Sequence, residues 1–524
     1  MMNRLFECIS AHTRQHPQRE AIVTAQATLN YADLQQRVDA LSASLMQLNL
    51  QRLALWGVNS IDWIVVDLAA QKADMTVIPV PLFFTAAQVR HLLSDSQTEL
   101  LCILDQSAGL TAKTDELSSS APEWLLNLAQ EMSQDQIFIA NQGQARFFQL
   151  AQAVQHPLTI PTRQPAKITY TSGSTGTPKG VCLAEDTIES ITHSLSRALA
   201  SSQLGRHLCL IPFATLLENI AGIYVALSMG HAVVVNEVSQ LGLVSNHHFD
   251  VQRFVHAVQT YQIASVILLP QMLKAIVEYG AEYGVAGFSS LKFIAVGGGK
   301  VSADLLQQCQ QLNLPVYEGY GLSECASVVS LNLPGACRIG SVGRVLPHVE
   351  VEISANSEVV VKGNAMLGYV NDQAATPYIH TGDAGYFDED GYLYISGRIK
   401  QMIISSFGRN ISPEWVESNS LSEPEIQQIA IFGEAQPHLS AVIYAPEYTS
   451  DQQLTAAMQR ANSRMPDYAR IKHWCRAPEP FSLHNQMLTD NGKLRRKQIQ
   501  QQFQAELMNP DIFCTDQAVS QIHV

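Results

Sequence analysis

The stretch from Tyr170 to Gly180 reads YTSGSTGTPKG. Every residue from Thr171 to Thr177 (Thr171, Ser172, Gly173, Ser174, Thr175, Gly176, Thr177) is glycine or carries a hydroxyl, and Lys179 follows two positions later. Such a loop can turn its backbone N–H groups inward, add hydroxyl donors and make a nest for polyphosphate oxygens. The lysine adds a charge that no amide supplies. The Walker pattern G-x-x-x-x-G-K-[ST] fails at two positions: Pro178 stands where the second glycine belongs, and Gly180 follows Lys179. A surface linker fits poorly, because the run lies between the β-like stretch KIT and VCLAEDTIESITHSL, which reads as another element. Further groups with chemistry follow: Glu324, Asp383, Arg398 and the basic cluster KLRRK with Lys493. Taken singly, Glu324 reads as a surface or capping carboxylate, VGGGK (296–300) as a tight turn, and KLRRK as a solvated basic patch.

Together and in order they say more. YTSGSTGTPKGV resembles the phosphate-binding loop of the adenylate-forming superfamily: acyl-CoA synthetases, peptide-synthetase adenylation domains and firefly-type luciferases. YEGYGLSE (317–324) resembles that family's next motif. The likeness implies that Tyr320, beside Gly321, packs on adenine, Ser323 contacts the α-phosphate and Glu324 holds Mg²⁺, a hard cation suited to carboxylate oxygen. VGGGK resembles the glycine turn of the adenine slot, where Gly297, Gly298 and Gly299 let a flat ring approach the backbone. Gly299 and Lys300 here replace the family's usual small residue and proline. In YIHTGDAGYFDEDGYLYISGRIK (378–400), the resemblance makes Asp383 the acceptor for ribose hydroxyls and Arg398 a nucleotide contact. It makes Lys400 the hinge, Gly408 of SSFGRNISPEWVE the border of the thiol tunnel, and Lys493 of LTDNGKLRRK the catalytic lysine. The likeness spans roughly residues 20 to 500.

The family's chemistry is then expected here. ATP activates a carboxylic acid as an acyl-adenylate, with Lys493 bridging the carboxylate and the α-phosphate, and a thiol takes the acyl group after the C-terminal domain swings about Lys400. IPFATLLENIAGIY (211–224) resembles the start of the acyl pocket, with Thr215 and Glu218 as pocket residues, and leans toward fatty-acid members. Thr215 stands where many members carry histidine, and AEDT (184–187) where relatives often read THxN. The acceptor is CoA or the phosphopantetheine arm of an acyl carrier protein, since both offer the same thiol. Two other readings are a stand-alone adenylating enzyme that loads a carrier protein, and a non-catalytic acyl- or nucleotide-binding relative.

Such groups need a frame large enough to position them. At 524 residues the chain exceeds one ordinary core. A hydrophobic share of 46% against 15% charged suits a packed enzyme. Net charge is 33 − 47 = −14, and the acidic residues are scattered, which argues against a nucleic-acid surface. Nine separated cysteines without a C-x-x-C, and no apolar leader, read as reduced thiols in a cytoplasmic protein. The most apolar stretch, Leu216 to Val235, carries Glu218, Asn219 and His231 and falls short of a membrane span.

Helical faces such as Leu34, Val38, Leu41, Leu45 and Val251, Phe254, Val255, Val258 alternate with apolar strand candidates at 52–57, 76–80, 100–104, 265–270 and 292–296. The fold class expected is α/β: a large N-terminal domain of two α/β lobes with a small β subdomain, and a smaller mobile C-terminal α+β domain. The bounds expected are 1–397 with the β subdomain at about 345–397, then 398–507, then a tail at 508–524. ELSSSAPEW (116–124) reads as a surface loop and KQIQQQFQAEL as a closing helix.

Overall fold

The computed structural model describes residues 3–104, 121–137, 145–151, 163–171, 178–202, 204–245, 248–372, 377–406, 409–489 and 492–507. Two large sheets face each other in the N-terminal part. One has eight strands in the order Gly368–Tyr369, Lys179–Leu183, Lys167–Thr171, Thr76–Pro79, Arg52–Trp56, Leu100–Leu104, Ala145–Leu150, Ser133–Ile137. The other has nine, with Phe293–Val296 between Val316–Leu322 and Ile263–Leu268 near its middle. The central strands are parallel and buried along their length, as at Leu53, Ala54, Leu55 and Trp56. Helices on both faces explain their unbroken apolar runs.

The main core lies between these sheets, around Trp63, Phe213, Tyr224 and Leu227. A second core fills the far face of the nine-stranded sheet around Phe254, Leu273 and Ile294. Val349–Ile353, Glu358–Gly363, Tyr378–Phe387 and Leu393–Arg398 form a separate antiparallel sheet with its own core at Val359, Val361 and Leu393. Its strands alternate buried and exposed residues, because one face is wet. The C-terminal part packs Pro413–Ser420 and Asp451–Ser463 on the sheet Gln428–Phe432, Leu439–Tyr444, Ile471–Arg476. The chain is thus α/β, with a large N-terminal and a small C-terminal domain.

Two expectations change, at 116–124 and at the closing helix. Glu123 and Trp124 open the helix Glu123–Met132 behind Pro122, so that part of the expected loop is helical; 116–120 lie outside the described residues. The closing helix is two pieces, Arg496–Gln502 and Gln504–Leu507, parted at Phe503, whose ring joins a C-terminal core. At AEDT the helix Glu185–Ala198 starts from Ala184 with no side-chain cap, and Glu185 and Asp186 instead complement its positive end. Among the described residues the eight cysteines are free, and no helix is long and apolar enough to cross a membrane.

Candidate active site

The C-terminal ends of Phe293–Val296 and Val316–Leu322 open onto the site. Gly297–Lys300 turn the chain sharply into the helix Ala303–Gln311, whose cap Ser302 accepts from the Leu305 N–H at 3.1 Å. Gly298 has φ +78°, a left-handed conformation that favours glycine. A Cβ on Gly297 would meet nothing nearer than the Gly319 carbonyl at 3.6 Å, so the turn presents bare backbone to an open slot. At Gly321 the reason for glycine differs: a Cβ would lie 1.5 Å from the Ser327 carbonyl oxygen.

Between those glycines, Tyr320 donates its hydroxyl to Asp383 Oδ2 at 2.6 Å. Arg398 Nε lies 2.8 Å from Asp383 Oδ1, and Arg398 Nη1 donates to the Thr381 carbonyl at 3.1 Å. Asp383 and Arg398 face each other in register across two antiparallel strands, so backbone pairing fixes the ion pair. Burial pushes the Asp383 carboxyl pKa up; the Arg398 charge, the Tyr320 hydroxyl and the Lys493 charge act against it. Burial likewise drives the Tyr320 phenol well above its ordinary range.

Thr171 and Lys179 pair directly across the hairpin Lys167–Thr171/Lys179–Leu183, which carries the glycine–hydroxyl run at its tip. Ser172, Gly173, Ser174, Thr175, Gly176 and Thr177 lie outside the described residues. The Lys179 ammonium sits 5.4 Å from the centre of the Tyr369 ring, and Tyr369 donates its hydroxyl to Glu324 Oε1 at 2.8 Å. Lysine, ring and acid therefore line the approach to Ser323 and Glu324, which share a short 3-10 turn. Tyr369 was not among the expected site residues. It arrives on the edge strand Gly368–Tyr369, paired to Lys179–Leu183, and no local pattern announces it.

Lys493 belongs to the C-terminal part, in a turn closed by Thr489 N–H donating to the Lys493 carbonyl at 2.7 Å. Its side chain is exposed, and its charge acts weakly on the Asp383 carboxyl, lowering its pKa. Lys400 lies exposed in the turn Ile399–Gln401, just after the strand bearing Arg398. Gly408 lies outside the described residues.

From Gly297, Tyr320 and Ser323 a cavity of about 240 Å³ runs inward to Leu199 and Met229. Leu217, Ala221, Val225 and Met229 line it at four-residue spacing, one face of a helix whose first part, Leu217–Tyr224, has the wide i→i+5 turn. Thr215 lines this cavity. Glu218 does not. It is fully buried behind the wall, with Oε1 2.8 Å from His207 Nε2 and Oε2 accepting from the Ile211 N–H at 3.0 Å. A Cβ on Gly222 would come within 2.2 Å of Glu218 Oε1, so glycine there leaves room for the pair. His207 itself reaches the cavity, its Nδ1 3.1 Å from Ser265 Oγ. Sequence reasoning placed the acid in the pocket; the structure puts the imidazole there.

Comparison with known proteins agrees with this architecture. The family model described as AMP-binding enzyme matches residues 9–370, and the AMP-binding enzyme C-terminal domain matches 400–509. The chain is 24% identical to the long-chain-fatty-acid–CoA ligase FadD15 of Mycobacterium bovis, over 91% of each chain. It is 25% identical to the 2-succinylbenzoate–CoA ligase of Enterococcus faecalis, over 93% of this chain and 96% of that one. Among solved structures it resembles o-succinylbenzoate CoA synthetase (MenE) of Bacillus subtilis in complex with its acyl-adenylate intermediate, at TM-score 0.72 and 21% identity over 94% of this chain and 97% of that one. A double mutant of MenE bound to a CoA product analogue matches at 0.59, with 21% identity over 94% and 98%. Two sheets converging on a glycine turn, a tyrosine and an arginine gathered on the buried Asp383, and a lysine-bearing C-terminal domain are the frame that the family models cover from residue 9 to 509: the chain belongs to the AMP-binding enzymes.

Proposed function

We propose that the protein is an AMP-forming acid–thiol ligase that joins a fatty acid to CoA, using ATP and Mg²⁺. One observation carries the choice of acid. The cavity that begins at Ser323 is walled by Leu199, Leu217, Val225, Met229, Phe293 and Val328, an apolar lining suited to an alkyl chain. Twelve residues separate Leu217 from Met229, which at 1.5 Å rise, and less over the wide turns, is roughly 15 Å of depth. At roughly 1.2 Å per bond of extended chain, that accommodates about a dozen carbons.

The residues divide the work. Lys179 and the donors from Thr171 to Thr177 hold the leaving pyrophosphate, and Tyr320 with Gly297, Gly298, Gly299 and Gly321 shapes the adenine slot. Asp383 accepts from the ribose hydroxyls, while Arg398 holds Asp383 in place. The Glu324 carboxylate, oriented by Tyr369, is a hard oxygen donor that fits Mg²⁺, and Ser323 beside it offers a hydroxyl to the α-phosphate. When bound, Mg²⁺ supplies positive charge against the phosphate oxygens. Lys493 offsets the repulsion as the acid's carboxylate oxygen attacks the α-phosphorus, the P–O bond to pyrophosphate breaks and an acyl-adenylate forms. A thiolate sulfur then attacks the acyl carbon, and AMP leaves as the C–O bond breaks. For that step the C-terminal domain turns about Lys400, withdrawing Lys493 and bringing the Gly408 segment to the thiol.

The test is ATP–pyrophosphate exchange against a graded series of fatty and aromatic acids, followed by thioester formation with CoA or a carrier protein. Exchange that peaks near twelve-carbon acids, with a CoA thioester as product, is expected. Exchange with short aromatic acids alone overturns the fatty-acid assignment. Product on a carrier protein but not on CoA overturns the choice of thiol, and no exchange with any acid overturns the enzyme assignment.

A further inference from the structure

Lys274 lies on the helix Pro270–Tyr283, which starts at the glycine turn: Pro270 Cγ is the nearest atom, at 3.4 Å, to where a Gly299 Cβ would stand. Its ammonium reaches out of the N-terminal domain. It donates to the Glu423 carbonyl at 3.1 Å and to the Ile426 carbonyl at 3.2 Å, both in the C-terminal domain. These carbonyls belong to one tight turn, in which Ile426 N–H also donates to the Glu423 carbonyl at 3.1 Å. The turn is braced from behind: the Glu423 carboxylate lies 2.6 Å from Arg460 Nε and 2.7 Å from Arg464 Nη2. The Lys274 side chain is 21% exposed, and its own helix offers only Glu278, at 3.8 Å. A mostly buried cation thus has its shortest polar contacts on another domain. In this same arrangement the Lys493 charge is felt at the Asp383 carboxyl.

We propose that Lys274 is a positioning residue, a latch that holds the C-terminal domain where Lys493 meets the nucleotide, and that it must release for the thiol step. This rests on the two-step ligase reading above. The latch grips main-chain carbonyls, so it is indifferent to which side chains occupy the turn and sensitive to where the turn is. Rotation about Lys400 would carry the turn away from a helix anchored at the adenine slot. Lys274 touches none of the reacting groups in this arrangement. Its effect is therefore confined to the half reaction that needs Lys493.

The test compares wild type with Lys274→Met, which keeps the length of the stem and removes the donors, and with Lys274→Arg. Pyrophosphate exchange should fall about tenfold in Lys274→Met, the size expected when a charged donor is lost. Thioester formation from supplied acyl-adenylate and CoA should hold or rise, and Lys274→Arg should recover most of the exchange. A purely structural role would slow both half reactions together, and that result overturns the latch. Unchanged exchange overturns it too. Amine footprinting of the wild-type enzyme removes dependence on a variant that folds: Lys274 should be shielded with ATP and acid and exposed with a non-hydrolysable acyl-CoA analogue. Equal labelling in both states refutes the release. Failure of wild type to exchange at all would instead sink the ligase reading.

Discussion

Replacing Ala221 by phenylalanine tests whether the acyl chain occupies the cavity beside the wide-turn helix. Ala221 lines that cavity one helical turn below Leu217, with Val225 and Met229 deeper. A phenyl ring there closes the passage about a third of the way down, leaving roughly 10 Å beyond it unreachable. At roughly 1.2 Å per bond, about eight methylenes of a twelve-carbon acid lose their site. Each buried methylene is worth about 0.8 kcal/mol, so the ceiling is about 6 kcal/mol. A displaced tail recovers part of this by lying against other apolar surface. With half of it recovered, the loss is about 3 kcal/mol, or roughly a hundredfold in kcat/KM.

The assay is kcat/KM for pyrophosphate release across a series of saturated acids, with a thermal melt of each protein as control. Acids short enough to end above Ala221 should react nearly as in wild type, while efficiency for the longer acids collapses. If Ala221→Phe melts like wild type and still turns over dodecanoate at the wild-type kcat/KM, the chain lies elsewhere.

Other predictions follow from the same site. Lys493→Ala should abolish pyrophosphate exchange yet leave thioester formation from supplied adenylate largely intact; exchange at the wild-type rate would remove Lys493 from its role. Asp383→Asn keeps an acceptor oxygen but loses the charge, so KM for ATP should rise about tenfold or more while KM for the acid stays put. Glu318 lies under the glycine turn, where burial pushes its carboxyl up to about 8 from 4.5, opposed by Lys300 and the Val301 N–H. The folded chain thus keeps a proton that the unfolded chain releases, and stability should fall as pH rises from 4.5 to about 8, by a few kcal/mol in all. Glu318→Gln should flatten that slope, as read from urea midpoints at about pH 5 and about pH 9.

The parts legible in the sequence were those whose information is local. Five-residue apolar runs such as Leu100–Leu104 declare a buried strand, because both faces meet helices. Gly298 needs a left-handed turn and Gly321 stands where the Ser327 carbonyl forbids a Cβ, so at those two positions the motif and its physical reason coincide. What escaped was set by partners distant in the chain. Tyr369 matters because an edge strand brings it beside Lys179 and Glu324, and Glu218 leaves the pocket because His207, eleven positions earlier, claims its carboxylate. The wide turns of Leu217–Tyr224 have the same apolar spacing as an ordinary helix, so periodicity could not reveal them. Phe503 ended a helix for the sake of a core that only the tertiary fold assembles.

Lys167 shows what such a distant partnership accomplishes. It lies in the strand leading to the glycine–hydroxyl run, where alternation suggests only a β-run, yet its side chain is 0% exposed. Its ammonium donates to Asp67 Oδ1 at 2.9 Å, to Tyr224 at 3.0 Å and to Asn219. Asn219 in turn donates to Asp67 Oδ2 at 3.0 Å. Burial lowers the lysine pKa and the Asp67 charge opposes it, so the set is held together by mutual need. Removing Lys167 or Asp67 alone would strand a buried charge, at about 3–5 kcal/mol, whereas an apolar replacement of the whole set is often neutral or stabilising. Stability alone therefore does not account for these charges. Their placement does: Asn219 and Tyr224 belong to the wide-turn helix along the cavity, and Lys167 to the strand that leads into the glycine–hydroxyl run. Directional bonds between the two, unlike apolar contact, fix the register of the cavity wall against the strand that ends at Thr171.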